Sequence, residues 1–228
     1  MTDQKVLFMQ LLVFTECFDA AEVARSLAAS GLEAVLYLDV NDPRGVGILF
    51  MSEDPSLFTG KVRSVLAQEP FRPLKARPEF TMLGRTYALG HEKDPADWLL
   101  KKPRRNVFNE KLPWAVWYPL RRRPEFETLS REEQREVLME HAKLGMAFGE
   151  AGLAHDVRLA CYGLDASDNE FVLGLVSPEL GNLSKLIQDM RKTKQTSRYI
   201  QRMGPFFVGK AEGRFGQMPK APGCTGGR

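Results

Sequence analysis

The chain has 228 residues, 43% of them apolar and 27% charged, the balance of an ordinary globular protein with enough length for one large domain or two small ones. A formal net charge of +3 is too small to argue for nucleic acid by itself. Three scattered cysteines, Cys17, Cys161 and Cys224, supply neither a disulfide framework nor a structural zinc site, and point to a reducing, cytoplasmic setting.

In chain order, residues 5–16 read as a strand, whose apolar run Val6 to Phe14 is too short for a membrane span and lacks a signal-peptide cleavage site. Asp19 and Glu22 then start a helix that Gly31 ends as a C-cap. Leu32–Asp39 and Val46–Met51 read as strands around the turn Asn41-Asp-Pro-Arg-Gly45. A second helix starts with Asp54 as N-cap and Pro55 at its first position, and a strand follows near Phe80–Ala88. This is the β-α-β-β-α-β order of a ferredoxin-like unit.

The second half repeats it. A strand at 114–121 precedes a helix at 130–149, which Ser130 and Glu133 open as a capping box. Strands at 157–164 and 170–176 flank the turn Asp165-Ala-Ser-Asp-Asn169, the counterpart of the turn after Asp39. The next helix is expected from Ser177-Pro178, and a last strand at Pro205–Gly209. The expected fold is α+β: tandem ferredoxin-like domains with antiparallel sheets, of the dimeric α+β barrel type, each sheet burying a face against the other or a partner. The boundaries are 1–92 and 113–210 for the two domains, 93–112 for a linker, and 211–228 for a flexible Gly/Pro-rich tail.

Counting turns along the helix at 130–149 puts Val137, Leu138, His141, Leu144, Gly145 and Phe148 on one face. A histidine inside that stripe, with a glycine one turn on, leaves space for something flat, as a haem held by a proximal imidazole would be. A core histidine is the bland alternative. Basic residues bunch at Lys101, Lys102, Arg104 and Arg105, at Arg121 to Arg123, and at Arg191, Lys192 and Lys194. Such runs suit solvated surface or a ligand with several carboxylates. An RNA-recognition reading of Arg44 to Met51 fails because the two positions that must stack on bases hold Val46 and Ile48.

Three blocks then resemble one family. Trp114-Ala-Val-Trp-Tyr-Pro-Leu-Arg-Arg122 is like a strand bearing Tyr-Pro-x-x-Lys, and Leu138-Met-Glu-His-Ala-Lys-Leu-Gly145 is like a helix bearing Leu-Met-x-x-His-Gly-x-x-Gly. Met190-Arg-Lys-Thr-Lys-Gln-Thr-Ser-Arg-Tyr199 with Gly204-Pro-Phe-Phe-Val-Gly209 is like the ending Met-Arg…Ser-x-Arg-Tyr…Phe-Phe-x-Gly. Together they resemble the chlorite dismutase superfamily, most of all its coproheme decarboxylase branch.

The resemblance implies His141 as the proximal iron ligand, and Tyr118 as the tyrosine that becomes a radical and takes a hydrogen atom from a propionate. It implies iron coproporphyrin III turned into haem b with hydrogen peroxide, coproheme or haem b as cofactor, and a ring-shaped homo-oligomer, expected to be a pentamer. Arg122 would bind a propionate, with help from Arg104 or Arg105. The chain departs from the pattern between His141 and Gly163, so the distal position counts to Asp156, with Arg158 two residues on and on the same strand face. The alternatives are a chlorite dismutase or haem peroxidase of the same superfamily, and a non-catalytic haem or porphyrin carrier or sensor.

Overall fold

The computed structural model describes residues 5–90 and 92–216. Its first half runs β1 (Phe8–Thr15), α1 (Ala20–Ser30), β2 (Ala34–Asp39), β3 (Val46–Ser52), a wide helical run at Phe58–Val62 continuing into α2 (Arg63–Leu66), the two-residue β4 (Lys75–Ala76) and β5 (Met82–Thr86). A helical run at Asp97–Lys101 leads into α3 (Lys102–Phe108). The second half runs β6 (Trp114–Arg122), α4 (Arg131–Glu150), β7 (His155–Ala160), β8 (Phe171–Ser177), α5 (Leu180–Met190), β9 (Ile200–Met203) and β10 (Phe207–Phe215).

Local signals act where the residues place them. Asp19 accepts from the Glu22 amide and Gly31 adopts φ 64°, the left-handed cap that ends α1. Ser130 and Glu133 form both bonds of the capping box on α4. The two matching turns use one device: Asp39 accepts from the amide of Asn41, and Asp165 from that of Ser167, each at 2.8 Å.

Within each half the strands order alike, β5-β1-β3-β2 and β10-β6-β8-β7. The halves then share strands: β10 pairs with β2 from Gly209 to Phe215, and β5 pairs with β7 at Arg85 and Thr86. The result is one closed ring of eight strands, so the two sheets do bury their faces against each other. Side chains alternate across this wall. Met9, Leu11, Tyr37, Trp117, Leu159 and Phe207 point into a shared core. The outer face of the first half packs on α1 and α2, and that of the second half packs on α4 and α5. Val46 and Ile48 belong to the covered outer face of the first half and are buried, which closes the RNA-stacking reading.

Several boundaries differ from expectation. The stretch 93–112 is not a plain linker: Val107 and Phe108, on the buried side of α3, and Leu112 after it enter the barrel core. Residues 211–215 are not tail but strand, held by the ladder with β2, while 217–228 lie outside the described residues. Helix α5 starts at Leu180 with Glu179 as its cap, so Pro178 precedes it; the Ser177 hydroxyl accepts from the Glu179 amide at 3.1 Å and holds this turn. Among the described residues, no helix is long and apolar enough to cross a membrane. Cys17 and Cys161 are buried free thiols, and Cys224 lies outside the described residues.

Two glycines let the core close. A Cβ on Gly174 would collide with the ring of Trp117, its direct partner across β6 and β8, and one on Gly47 would collide with the ring of Phe207. Trp117 is fully buried and cannot retreat. Gly174→Ala should therefore cost about 1–3 kcal/mol by overpacking, measured as a lower denaturation midpoint with an unchanged denaturant slope.

Candidate functional site

The outer face of the second sheet is set by register. Residues directly opposite on paired strands share a face. Tyr118 of β6 lies opposite Leu173 of β8, which lies opposite Arg158 of β7; one step along, Val116, Leu175 and Asp156 form the parallel row. One sheet face thus carries Tyr118, Asp156 and Arg158, under α4 and α5.

Helix α4 brings His141 to this face. Val137 is buried and His141, Leu144, Gly145 and Phe148 are half-buried, but Leu138 is 38% exposed, so the expected stripe is narrower than the turn count gave. The space over Gly145 is taken by the Met190 methyl, 3.5 Å from where a Cβ would be. A thioether is a soft filler that can move aside.

His141 Nδ1 lies 3.4 Å from the hydroxyl of Thr193, a long hydrogen bond. Thr193 Oγ1 donates to the carbonyl of Met190 at 2.8 Å, so toward the imidazole it accepts. With the hydroxyl proton on that carbonyl, the contact suits the tautomer protonated at Nδ1, which would leave the lone pair of Nε2 available. Burial holds the His141 pKa below its ordinary value of 6.5, and Arg158 lowers it further, against opposing pulls from Asp156 and Glu140. The Glu140 carboxylate also accepts from the Lys194 amide at 2.8 Å, fastening the chain after α5 to α4.

Tyr118 is 6% exposed and stacks on Phe206, ring centroids 4.5 Å apart. Burial raises its pKa well above the usual phenol value, Arg191 opposing and Asp156 adding to the shift. The phenol therefore keeps its proton at any physiological pH. Arg191 pairs with no carboxylate among the described residues.

Beside this face, Arg158 Nε meets Asp156 Oδ2 at 2.8 Å, and Lys102 Nζ lies 3.8 Å from Asp156 Oδ1. Both cations also lie over the ring of Trp98, Lys102 at 3.9 Å and Arg158 at 5.0 Å. Trp98 is fixed by its indole N–H, which donates to the Tyr87 carbonyl at 3.0 Å. These residues line a cavity of about 20 Å³, room for one water.

The remaining expected arginines are engaged elsewhere. Arg122 bonds Glu170 at 3.0 Å and lies between the rings of Phe126 and Phe171, with its side chain 12% exposed. Arg104 does not join the site. It holds both Glu33 oxygens, at 2.7 and 3.0 Å, and so ties α3 to the first half. Arg105 is held by Asp97. Reading residues alone missed Thr193 and Trp98, and named Lys102 and Arg191 only as members of basic runs. Thr193 stood inside a recognised block without a role, and Trp98 carried only its i, i+4 spacing to Lys102.

The family model described as chlorite dismutase matches residues 93–212. Among solved structures, a heme-binding protein from Thermus thermophilus is similar, with TM-score 0.67 and 19% identity, covering 90% of this chain and 92% of that one. A variant of the chlorite dismutase of Candidatus Nitrospira defluvii gives TM-score 0.70 and 15% identity, covering 91% of each chain. The same enzyme in complex with imidazole gives TM-score 0.69 and 14% identity, covering 93% of each. A comparison with curated proteins gave no match by sequence.

The lowered pKa of His141 has a stability consequence. Below its ordinary value of 6.5 the unfolded chain binds a proton that the folded chain resists, so this residue's contribution is present above pH 6.5 and lost as pH falls. Stability should therefore drop on acidification below pH 6.5, and His141→Gln should flatten that part of the profile in denaturant melts.

Proposed function

Since the chain belongs to the chlorite dismutase family, we propose that it is an iron-porphyrin oxidoreductase, with His141 as the metal ligand and Tyr118 as the reacting side chain. The observation that carries this is the contact between His141 Nδ1 and Thr193, above the sheet face that holds Tyr118. Among the described residues no group of three or more His, Cys, Asp or Glu is gathered for a metal ion. A metal at His141 would need its other donors from a ligand, and a porphyrin brings four. The fold likeness to a heme-binding protein supports the same reading.

The finer reading is a coproheme-decarboxylase-like activity, in which two propionates of iron coproporphyrin III each lose carbon dioxide and two hydrogens to become the vinyl groups of haem b, while hydrogen peroxide takes up the hydrogens and ends as water. The bound iron porphyrin would supply the redox centre at which peroxide is consumed. Tyr118, buried and protonated, holds a removable electron and proton together, as hydrogen-atom transfer from a propionate requires. Arg191, near Tyr118 and without a carboxylate partner among the described residues, suits a propionate better than Arg122, whose fork is already occupied. Thr193, in contact with Nδ1, would hold the imidazole in one tautomer. A homopentamer and a cytoplasmic setting accompany this reading as proposals.

One observation favours the runner-up, a chlorite dismutase or another haem peroxidase of the family: Arg158 stands on the same face as Tyr118, in the same cross-strand row. The test is titration of the protein with iron coproporphyrin III, read by absorbance, then hydrogen peroxide, read by mass spectrometry. Two losses of carbon dioxide, each with two hydrogens, are expected, and Tyr118→Phe should abolish them while porphyrin affinity stays near wild type. Oxygen release from chlorite without decarboxylation would favour the runner-up. Tight binding with neither reaction would make the protein a carrier or sensor, and no binding would remove His141 as a ligand. Thr193→Val should weaken porphyrin binding by about tenfold, the usual effect of removing a partner behind a ligating histidine.

A further inference from the structure

The Asp156 cluster combines charges in a way that the proposed reaction does not require. Arg158 and Lys102 are two cations on one indole ring, an arrangement that by itself would attract a small anion to the sheet face. Asp156 stands between them, 2.8 Å from one and 3.8 Å from the other. Its position is fixed from the backbone as well, because the Asn106 side-chain amide donates to the Asp156 carbonyl at 2.9 Å. The adjoining cavity, lined by Asp156, Arg158, Lys102, Trp98 and Tyr87, has room for a molecule of about the size of water.

We propose that Asp156 is a specificity-determining residue. By occupying Arg158 and Lys102 it withholds their charge from incoming anions, so that this face admits a small neutral oxidant such as hydrogen peroxide ahead of a singly charged oxyanion. An anion approaching the cluster meets a carboxylate already seated on both cations, and it must displace that carboxylate or bear its repulsion. A neutral hydroxylic molecule meets no such opposition, and a carboxylate and a guanidinium together offer it an acceptor and donors. The direction of selection rests on the reading that iron porphyrin binds at His141; the charge balance itself does not.

The two parts are separable by experiment. In the porphyrin-free protein, iodide quenching of Trp98 fluorescence reports the local charge, with Trp98→Phe identifying the signal of that residue against Trp114 and Trp117. Asp156→Asn should raise the iodide quenching constant several-fold and leave quenching by neutral acrylamide unchanged. Asp156→Glu should behave as wild type, and adding Arg158→Gln to Asp156→Asn should reverse the gain. In the protein loaded with iron porphyrin, Asp156→Asn should tighten azide binding by about tenfold, as removal of one unit charge at a partly screened site would, with imidazole affinity unaltered. Unchanged iodide quenching in Asp156→Asn, or an equal rise with acrylamide, overturns the proposal whatever happens with porphyrin. Increased iodide quenching in a protein that binds no porphyrin keeps the charge balance and sinks the haem reading, and with it the selection of oxidant.

Discussion

The structure depends on an exchange of edges. Each half has an open sheet whose second strand lacks a neighbour, and the last strand of the other half supplies it: β10 for β2, and β5 for β7. An open edge in either half would leave a row of backbone groups unpaired. Closing the ring satisfies both edges and buries the two inner faces together, so each half completes the other. Trp117 against Gly174, and Phe207 against Gly47, show how little spare volume the shared interior leaves.

The closed wall also defines what faces outward. Because side chains alternate, the residues that fill the barrel and those that make the candidate site come from the same strands. Trp117 is core and Tyr118 is site; Val157 and Leu159 are core, while Asp156 and Arg158 are site. A change of register by one residue in β6 or β7 would empty the interior and the site together. Helix α4 then adds the imidazole from above, and its hold on the chain after α5 passes through Thr193 and Glu140. The site is therefore positioned by regular elements, which keeps its geometry tighter than a set of loops would.

Much of this was legible in the sequence, for local reasons. The capping box at Ser130, the glycine cap at Gly31 and the paired Asp turns are short-range chemistry, and each acts as its residues indicate. The blocks around Tyr118 and His141 named residues that do share one side of the second sheet. What was not legible depends on distant partners. Arg104 looked like a ligand for carboxylates, and finds Glu33, far away in sequence. Arg122 was read as available, while Glu170, Phe126 and Phe171 enclose it. Thr193 could not be matched to His141 before the turn after α5 was placed against α4. The stretch before β6 was read as a linker, yet Val107 and Phe108 reach the core.

The two seams of the ring are unequal. The joint of β10 with β2 runs from Gly209 to Phe215, whereas the joint of β5 with β7 holds at Arg85 and Thr86. Local opening is cheapest where the fewest ladder bonds must break. By that measure the barrel should part first at the short joint, beside Tyr87, Asp156 and Arg158, with the long joint as its hinge. Such opening would reach the charged cluster on β7 first, and backbone amides along the short joint should trade their protons with solvent before those of the long one.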